Sequence, residues 1–263
     1  MYSVIIPSLG RKEYLIPLLE SILIQTLEPA EILLLLDNNL QCELISLMVA
    51  DYELVSAHLL TDCNLADKRN LGARMARSEL ILYSDDDDLW HPTKAERVVA
   101  SLEQCDAVCH GFSRFGERED DSVLLARQES GFISPLKLLS GSNVFGGGSS
   151  IAARKSLLLT LQFCASYRYC EDLEWWSRVI LAGCKVYYIA QPLVSYRVHT
   201  KNMTNSLLKI EEYRLKLARK YFIFAGLSLG ISFMYGIKAF AALGLRSICI
   251  FSAFKRKRDF PKR

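Results

Sequence analysis

The sequence predicts an α/β fold, a Rossmann-like and mostly parallel sheet with flanking helices, and three observations lead to this prediction. Short apolar runs alternate with helix-spaced segments over the first 110 residues. Two of the runs, 31–36 and Leu80–Tyr83, are almost continuously apolar, which is typical of strands buried on both faces. Both runs end at acidic residues, and sheets of this kind bind ligands beyond the carboxyl ends of their strands.

The elements follow from the spacing of the apolar residues. Strands are predicted at 4–8, 31–36, 58–60, 80–83 and 185–190. Helices are predicted at 14–25, 42–53, 68–77, 171–183 and 209–223. Residues 113–150 are polar and contain several glycines, which indicates loops near a site.

Charge is distributed unevenly along the chain. From Arg214 onward there are twelve Lys or Arg residues against the single acid Asp259, so this segment carries +11. Subtracting it from the net charge of +3 leaves −8 on the preceding 213 residues. An anionic membrane surface is the partner expected for residues 214–263. We expect no nucleic-acid binding, because the aromatic residues of this segment lie within its hydrophobic runs and not between its basic residues.

The C-terminal segment is apolar as well as basic. Residues 221–237 form a run of 17 without charge, which is at the lower limit for spanning a bilayer, and the run 239–254 is interrupted by Arg246. Helices lying in the membrane interface avoid the cost of burying Arg246, so interfacial attachment is favoured over spanning or packing in a soluble body. We therefore expect a helical, membrane-associating segment over residues 211–263.

Cysteine usage and the start of the chain bear on localisation. The eight cysteines include no CxxC pair and no metal-ligand spacing, and no secretory signal precedes the first predicted strand. Reduced thiols in a cytoplasmic protein, peripheral on the inner face of a membrane, are the expectation.

The sharpest chemical signal is the acidic run Asp85-Asp86-Asp87-Asp88, which directly follows a buried strand. Adjacent carboxylates repel one another unless solvent or a cation compensates them. Oxygen ligands of this kind suit Mg²⁺ or Mn²⁺. A solvated acidic turn is the alternative, but the position after the strand favours a metal site.

Several other polar residues have two interpretations each. Asp172, next to Glu171 at a predicted helix start, is either a helix-terminal charge or a general base. Arg69 either contacts a diphosphate or faces solvent. His199, like Arg197, follows a strand and is either a structural hydrogen-bonding residue or a ligand. The glycines of residues 146–150 lack the spacing of a phosphate-binding loop and suit a hinge, an acceptor-facing backbone or a plain loop.

In this order, the motifs resemble glycosyltransferase family 2, which has the GT-A fold. The resemblance covers about residues 2–205 and is carried by Ser3-Val4-Ile5-Ile6-Pro7-Ser8, Leu18-x-x-x-Ser21-x-x-x-Gln25, Arg69-Asn70-x-Gly72, Ser84-Asp85-Asp86-Asp87-Asp88-Leu89-Trp90-x-Pro92-x-Lys94, Glu171-Asp172-Leu173-Glu174-Trp175-Trp176, and Tyr196-Arg197-x-His199. Two departures are Gly10-Arg11, where the family often has Asn-Arg, and Asp37-Asn38-Asn39-Leu40, where it often has Asp-Asp-Gly-Ser.

The resemblance implies roles for individual residues. Metal ligands would be Asp85 and Asp87, with His199 close by, and the ion would be Mn²⁺ or Mg²⁺. Asp172 would be the catalytic base. Donor-binding residues would be Pro7, Ser8, Asp37, Arg69, Asp85, Asp86 and Arg197. Acceptor-binding residues would be Glu171, Trp175, Trp176, Gly147 and Gly148.

The resemblance also implies an activity and a domain division. The expected enzyme is inverting and transfers a sugar from a nucleotide-sugar donor, with a UDP-sugar favoured, to a hydroxyl of a glycan or glycolipid acceptor, lipid-linked or membrane-bound. The GT-A domain would occupy residues 1–210, with a nucleotide-sugar-binding half at 1–110 and an acceptor half at 111–210. Since no QxxRW motif follows Asp172, processive synthesis is not expected.

Two alternatives belong to other functional classes. A sugar nucleotidylyltransferase would need a Gly-rich, Arg-bearing loop after the first strand, and Ser8-Leu9-Gly10-Arg11 is short for that purpose. A membrane-tethered module that binds sugar nucleotides without catalysis would not need Asp85, Asp87 and Asp172 together.

Overall fold

The computed structural model describes residues 1–116, 129–134, 145 and 147–227. The chain divides into two compact units, one of Met1–Ile133 with Val144–Asn205 and the other of Ser134–Asn143 with Ser206–Arg263. All described strands lie in the first unit, and the described part of the second unit consists mainly of one helix.

The strands belong to a single sheet. They are β1 (Tyr2–Ser8), β2 (Glu31–Asp37), β3 (Val55–Leu60), β4 (Leu80–Tyr83), β5 (Leu89–Trp90), β6 (Ala107–Gly116), β7 (Gly131–Phe132), β8 (Ala152–Arg154) and β9 (Val186–Val198). The order across the sheet is β3-β2-β1-β4-β8-β6-β9-β5, with β7 also paired to β9.

The helices connect and cover these strands. They are α1 (Lys12–Leu23), α2 (Leu40–Met48), α3 (Leu65–Met75), α4 (Lys94–Leu102), α5 (Lys155–Thr160), α6 (Glu171–Leu181) and α7 (Leu207–Leu227). Short 3₁₀ turns lie at Gly148–Ser150 and Met203–Asn205.

The predicted α/β class is confirmed, and the sheet is parallel where strand–helix alternation predicted it. The neighbours β3, β2, β1 and β4 all run in parallel. Beyond β4 the sheet is mixed, because β8 pairs antiparallel with both β4 and β6, and β5 pairs antiparallel with β9. β5 follows β4 after only five residues with no helix between them, so the crossover that parallel neighbours require is absent there.

Close packing of α3 on the sheet depends on a glycine. A Cβ at Gly72 would lie 2.5 Å from Ile5 Cγ2 and 3.0 Å from Leu35 Cδ1. Ile5 belongs to β1 and Leu35 to β2, and both side chains are buried. The helix therefore lies against the two central strands at a distance that leaves no room for a side chain at position 72.

The strand β9 differs most from its prediction. It was predicted to end at residue 190 but continues to Val198, pairing in parallel with β6 as far as Gly116. The pairing register shifts around Gly111, which faces Gln191 and Pro192. In the sequence, Gln191 and Pro192 look like the end of a strand. The bulge allows the pairing to continue beyond them. As a result, residues 113–116, predicted as loop, belong to β6.

Helix boundaries also shift. The helix predicted at 42–53 is α2, which begins two residues earlier and ends at Met48. Its start is set by Asn39, whose side chain accepts a hydrogen bond from the backbone N–H of Cys42. Similarly, α3 begins three residues before the predicted start, at a capping box formed by Asn64 and Asp67.

In the second unit, α7 includes the helix predicted at 209–223. None of the helices within the described ranges combines the length and apolar character required to cross a bilayer. Most of the apolar run 221–237, all of the run 239–254 and the basic C-terminus lie outside the described residues.

Candidate active site

The candidate site lies where the parallel strands β1, β2 and β4 end. The last residue of β1 is Ser8 and the last of β2 is Asp37, while β4 leads through Ser84 into the acidic run. Because these strands are parallel neighbours, their carboxyl ends share one edge of the sheet. The fold therefore gathers Ser8, Asp37 and the acidic run at that edge.

Asp86 is bound to the turn that follows β1. Its Oδ2 accepts hydrogen bonds from Ser8 Oγ at 2.6 Å and from the backbone N–H of Leu9 at 3.1 Å. Its Oδ1 accepts from Arg11 Nη2. The turn itself depends on Gly10, which has a φ of +75° and donates its N–H to Ser8 Oγ. Only 4% of Asp86 is exposed, so it contributes to the architecture of this edge.

Asp87 is shared between a guanidinium and an imidazole. Its Oδ2 lies 2.9 Å from Arg11 Nη2 and 3.0 Å from His199 Nε2. The Nδ1 of His199 accepts a hydrogen bond from the backbone N–H of Lys201 at 3.1 Å. Nε2 therefore carries the ring proton and donates it to Asp87. The strand β9 thus places His199 against Asp87, 112 residues away in sequence.

A second guanidinium, that of Arg69, joins the acidic run to helix α6. Its Nη2 donates to Asp85 Oδ1 at 2.8 Å, and its Nη1 donates to Glu171 Oε1 at 2.6 Å. Arg69 is 1% exposed, so both ion pairs lie in a poorly solvated environment. Burial, together with the nearby Asp172 charge, raises the pKa of Glu171 to about 7 despite the opposing effect of Arg69. Burial and the Asp87 charge also raise the pKa of Asp85.

Gly148 packs directly on the Arg69–Asp85 ion pair. A Cβ at this position would lie 2.1 Å from Arg69 Nη2 and 2.4 Å from Asp85 Oδ1. No side chain fits, so the backbone of the 3₁₀ turn lies against the charged groups. The neighbouring Gly147 has a φ of +79°, and among the described residues no atom lies within 4 Å of a Cβ built there.

Asp88 is part of a buried polar network, and its carboxylate has other partners than the carboxylate of Asp85. Its Oδ2 accepts from Ser149 Oγ at 2.5 Å, and its Oδ1 accepts from the backbone N–H of Arg197 at 3.0 Å. Lys94 Nζ donates to the carbonyl of Ser149 at 2.7 Å and lies 3.5 Å above the Trp90 ring. Burial raises the pKa of Asp88 well above its usual value and lowers that of Lys94 well below its own.

The other predicted site residues reach the same edge with different partners. Asp37 forms an ion pair with Lys68 at 2.7 Å, and Lys68 also donates to the carbonyl of Ser8 at 2.9 Å. Arg197 donates from Nε to the carbonyl of Asp87 at 2.8 Å. Pro7 is buried in β1, one residue before Ser8.

Asp172 lies in the first turn of α6, half-buried, and its Oδ1 accepts from the backbone N–H of Leu173 at 2.7 Å. Across the described ranges of the chain, Asp172 has no ion-pair partner within 4.0 Å. Since Glu171 is engaged by Arg69, the two adjacent carboxylates of α6 differ in their surroundings.

The structure corrects the prediction that Trp175 and Trp176 bind an acceptor. Both side chains are fully buried. Trp175 stacks on Phe163, with ring centroids 5.1 Å apart, and Trp176 stacks on Phe145, with centroids 5.0 Å apart. Aromatic side chains beside a charged turn suit either a core or a sugar-stacking platform, and here they form core.

The family described as Glycosyl transferase family 2 matches residues 3–161, which is more than half of the chain and includes the acidic run. The chain belongs to glycosyl transferase family 2. Asp172, Arg197 and His199 lie beyond the matched residues.

Curated relatives are similar along most of this family 2 chain. An uncharacterized glycosyltransferase of Haemophilus influenzae is 27% identical over 220 residues, covering 78% of this chain and 71% of the relative. The amylovoran biosynthesis glycosyltransferase AmsB of Erwinia amylovora is 24% identical over 217 residues, covering 76% of this chain and 70% of AmsB.

Solved structures confirm the GT-A fold of this family 2 member. S. aureus TarS 1-349 in complex with UDP-GlcNAc superimposes with a TM-score of 0.67 at 15% identity, over 84% of this chain and 66% of that chain. The same TarS fragment in complex with UDP gives a TM-score of 0.61 at 17% identity, over 86% of this chain and 70% of that chain.

The oxygen atoms at this edge of the sheet are suitable ligands for a divalent cation. Within the described residues, no three His, Cys, Asp or Glu side chains are gathered closely enough to hold a metal ion by themselves. Mg²⁺ and Mn²⁺ usually bind through one or two carboxylates and complete their shells with water and substrate phosphates. Asp85 and Asp87 offer hard oxygen atoms at the strand edge, so their chemistry fits an ion held jointly with a diphosphate.

Several residues of this family 2 site were not predicted. Arg11 and Lys68 pair with predicted acids, Tyr14 stacks on His199 at a centroid distance of 5.0 Å, and Ser149 bridges Asp85 and Asp88. The position of Lys68 next to Arg69 in the sequence is a signal that could have identified it as a site residue. Arg11 had one as well, in a position three residues after the end of β1.

Proposed function

We propose that the protein is an inverting glycosyltransferase that transfers a sugar from a UDP-sugar to an acceptor hydroxyl. Membership of glycosyl transferase family 2 supports the transfer reaction, and the likeness to TarS, a structure of which is described as a complex with UDP-GlcNAc, favours a uridine nucleotide. The observation that supports the proposal most is the Arg69 bridge: one buried guanidinium pairs with Asp85, which follows β4, and with Glu171, which precedes Asp172 at the start of α6.

The donor is proposed to bind at the ends of β1, β2 and β4. Ser8, Asp37 and Arg69 lie at that edge or directly next to it. Asp85 and Asp87, with His199 close by, would hold Mn²⁺ or Mg²⁺ together with the donor diphosphate. When bound, the ion stabilises the negative charge that develops on the departing nucleoside diphosphate.

Asp172 is proposed as the general base. Its carboxylate accepts the proton of the acceptor hydroxyl while the hydroxyl oxygen bonds to the anomeric carbon. The bond between that carbon and the diphosphate oxygen breaks on the opposite face, and the electron pair leaves with the nucleoside diphosphate. Arg69 holds Glu171, and so the first turn of α6, in a fixed orientation beside the acidic run.

The acceptor and the cellular location are also proposals. We propose that residues 1–110 bind the donor, that residues 111–210 bind a lipid-linked or membrane-bound glycan, and that residues 211–263 attach the protein to the inner face of a membrane from the cytoplasm. The name of AmsB, which refers to amylovoran biosynthesis, supports a role in making an extended glycan. Gly147 and Gly148, in the turn beside the Arg69–Asp85 ion pair, would present backbone to the acceptor.

The test is hydrolysis and transfer with a panel of UDP-, GDP- and dTDP-sugars in Mn²⁺ or Mg²⁺. We expect turnover of UDP-sugars, a loss of about 10³-fold or more in kcat for Asp172→Asn, and a comparable loss for Asp87→Ala. Asp51→Asn, at an exposed position, is the matched control and should leave the rate unchanged. Turnover that is equal in all four proteins, or none with any donor, would show that the proposal is wrong. Binding of UDP without turnover would instead favour the non-catalytic module.

A further inference from the structure

Arg11 contacts several groups of the acidic site and has no role in the proposed transfer reaction. Its Nη2 contacts Asp86 Oδ1 and lies 2.9 Å from Asp87 Oδ2, and its Nη1 lies 3.3 Å from His199 Nε2. The side chain is only 17% exposed. One guanidinium therefore compensates two adjacent carboxylates, including one of the two proposed to hold the divalent cation.

The position of Arg11 is set by its surroundings. The turn at Gly10 is fixed by hydrogen bonds to Ser8 and Asp86, so the chain leaves β1 in one direction. Tyr14, one turn along α1, then lies beneath the guanidinium at 5.2 Å from Arg11 Cζ. The same ring lies 4.9 Å from Arg197 Cζ. Tyr14 thus supports two guanidinium groups through cation–π contacts.

Charge balance connects Arg11 to cation binding. Asp86 and Asp87 are 4% and 8% exposed, so bulk water solvates neither carboxylate well and each needs a positive partner. Asp87 Oδ2 already accepts from Arg11 and His199. A divalent cation at Asp87 would stand close to the guanidinium, and the two positive charges would repel each other in a poorly solvated site. A diphosphate would relieve this repulsion by adding negative charge.

We propose that Arg11 is the internal counter-cation of Asp86 and Asp87. In this role Arg11 disfavours binding of a divalent cation until a nucleoside diphosphate binds and replaces the carboxylates as the partner of Arg11. This inference rests on the proposed donor site. It implies that metal and nucleotide bind cooperatively, each strengthening the binding of the other. It also assigns Arg11 a place in the donor site, since the guanidinium released from Asp87 pairs with the diphosphate.

The first test measures Mn²⁺ binding to the full chain without nucleotide, by the electron paramagnetic resonance signal of free Mn²⁺. Arg11→Gln removes the charge, and we expect it to bind Mn²⁺ about tenfold more tightly than the wild type. Arg11→Met is measured alongside it, so that the result does not depend on the folding of one variant. Arg11→Lys keeps the charge and should stay close to the wild type. Arg74→Gln removes the same charge from an exposed position of α3 and should change nothing.

The second test measures UDP binding by calorimetry, with and without Mn²⁺. In the wild type, Mn²⁺ should strengthen UDP binding, while Arg11→Gln should bind UDP without metal about tenfold more weakly. Neutral variants that bind Mn²⁺ no more tightly than the wild type, or an absence of Mn²⁺ binding in every protein, would overturn the role of Arg11. Failure of the wild type to bind UDP would instead refute the donor site itself, so the two failures are distinguishable.

Discussion

The carboxylates of Asp85, Asp86 and Asp87 form ion pairs with guanidinium groups that come from distant parts of the chain. Asp85 pairs with Arg69, and Asp87 pairs with Arg11 and His199. The run and Arg69 could be predicted from sequence, because one follows a buried strand and the other belongs to a known motif. The position of Arg11 after β1 could have marked it as a site residue, but its partners could not be predicted, since they lie 75 and 188 residues away and only the folded turn brings them together.

Gly148 yields a prediction at the residue scale. Gly148→Ala would place a methyl group 2.1 Å from Arg69 Nη2, so the Arg69–Asp85 ion pair must shift. We expect kcat/KM to fall about a hundredfold, since displacements of about 1 Å in such sites have effects of this size. Steady-state kinetics measure the loss. Gly131→Ala is the matched control, because no atom of the described part of the chain lies within 4 Å of a Cβ built there, and equal rates in the two variants would contradict the prediction.

Glu171 yields a prediction about pH. Its pKa of about 7 in the folded protein, raised mainly by burial, exceeds the ordinary value of 4.5. The folded state therefore holds this proton more tightly than the unfolded state between these two values. The contribution of Glu171 to stability is accordingly full below pH 4.5 and is lost as the pH rises through about 7.

The measurement is urea unfolding at pH 4.5 and pH 8. Glu171→Gln cannot titrate, so the fall in the free energy of unfolding between these pH values should be smaller than in the wild type by about 1–3 kcal/mol. Glu20→Gln, at an exposed position of α1, should keep the wild-type fall. The same pH dependence in wild type and Glu171→Gln would exclude a raised pKa at this position.

At the scale of elements, α3 and β9 supply most of the cationic and imidazole groups of the site. The helix carries Lys68 and Arg69, and β9 delivers Arg197 and then, one residue past its end, His199. The start of α3 was missed because its capping box lies in a polar stretch without apolar periodicity. The full length of β9 was not predicted because strand pairing continues across a bulge whose residues look like a strand end in the sequence.

The packing of α3 gives a prediction at this scale. Gly72→Ala should push the helix away from β1 and lower the free energy of unfolding by about 1–3 kcal/mol, because the new Cβ would lie 2.5 Å from Ile5 Cγ2. Chemical denaturation of the single variants and of the double variant with Ile5→Ala measures this. Ile5→Ala removes the clashing methyl group, so the double variant should be more stable than the sum of the single effects predicts. Strict additivity would show that the helix is not held at this distance.

At the scale of the whole molecule, the acidic first 213 residues and the basic segment after them predict attachment to an anionic surface. The full chain should sediment with vesicles containing phosphatidylglycerol at low salt, and much less with phosphatidylcholine alone. Replacing the four residues Lys255, Arg256, Lys257 and Arg258 by Gln should weaken binding, as should 0.5 M salt. Four Gln replacements at the exposed Lys12, Arg74, Arg77 and Arg97 provide the matched control. A full-length protein that stays in the supernatant at low salt would contradict the prediction.

The pairing of Arg69 with two acids limits how residues 1–110 and 111–210 can be exchanged between relatives. One guanidinium is shared by a carboxylate from the segment after β4 and by another from the start of α6. A chimera that takes residues 111–210 from a relative would remove one of the two ion-pair partners of the buried Arg69 unless an acid is retained at position 171. We therefore expect recombinants between relatives to fold and work only when they inherit compatible residues at positions 69 and 171, whatever the sequence of the loops between them.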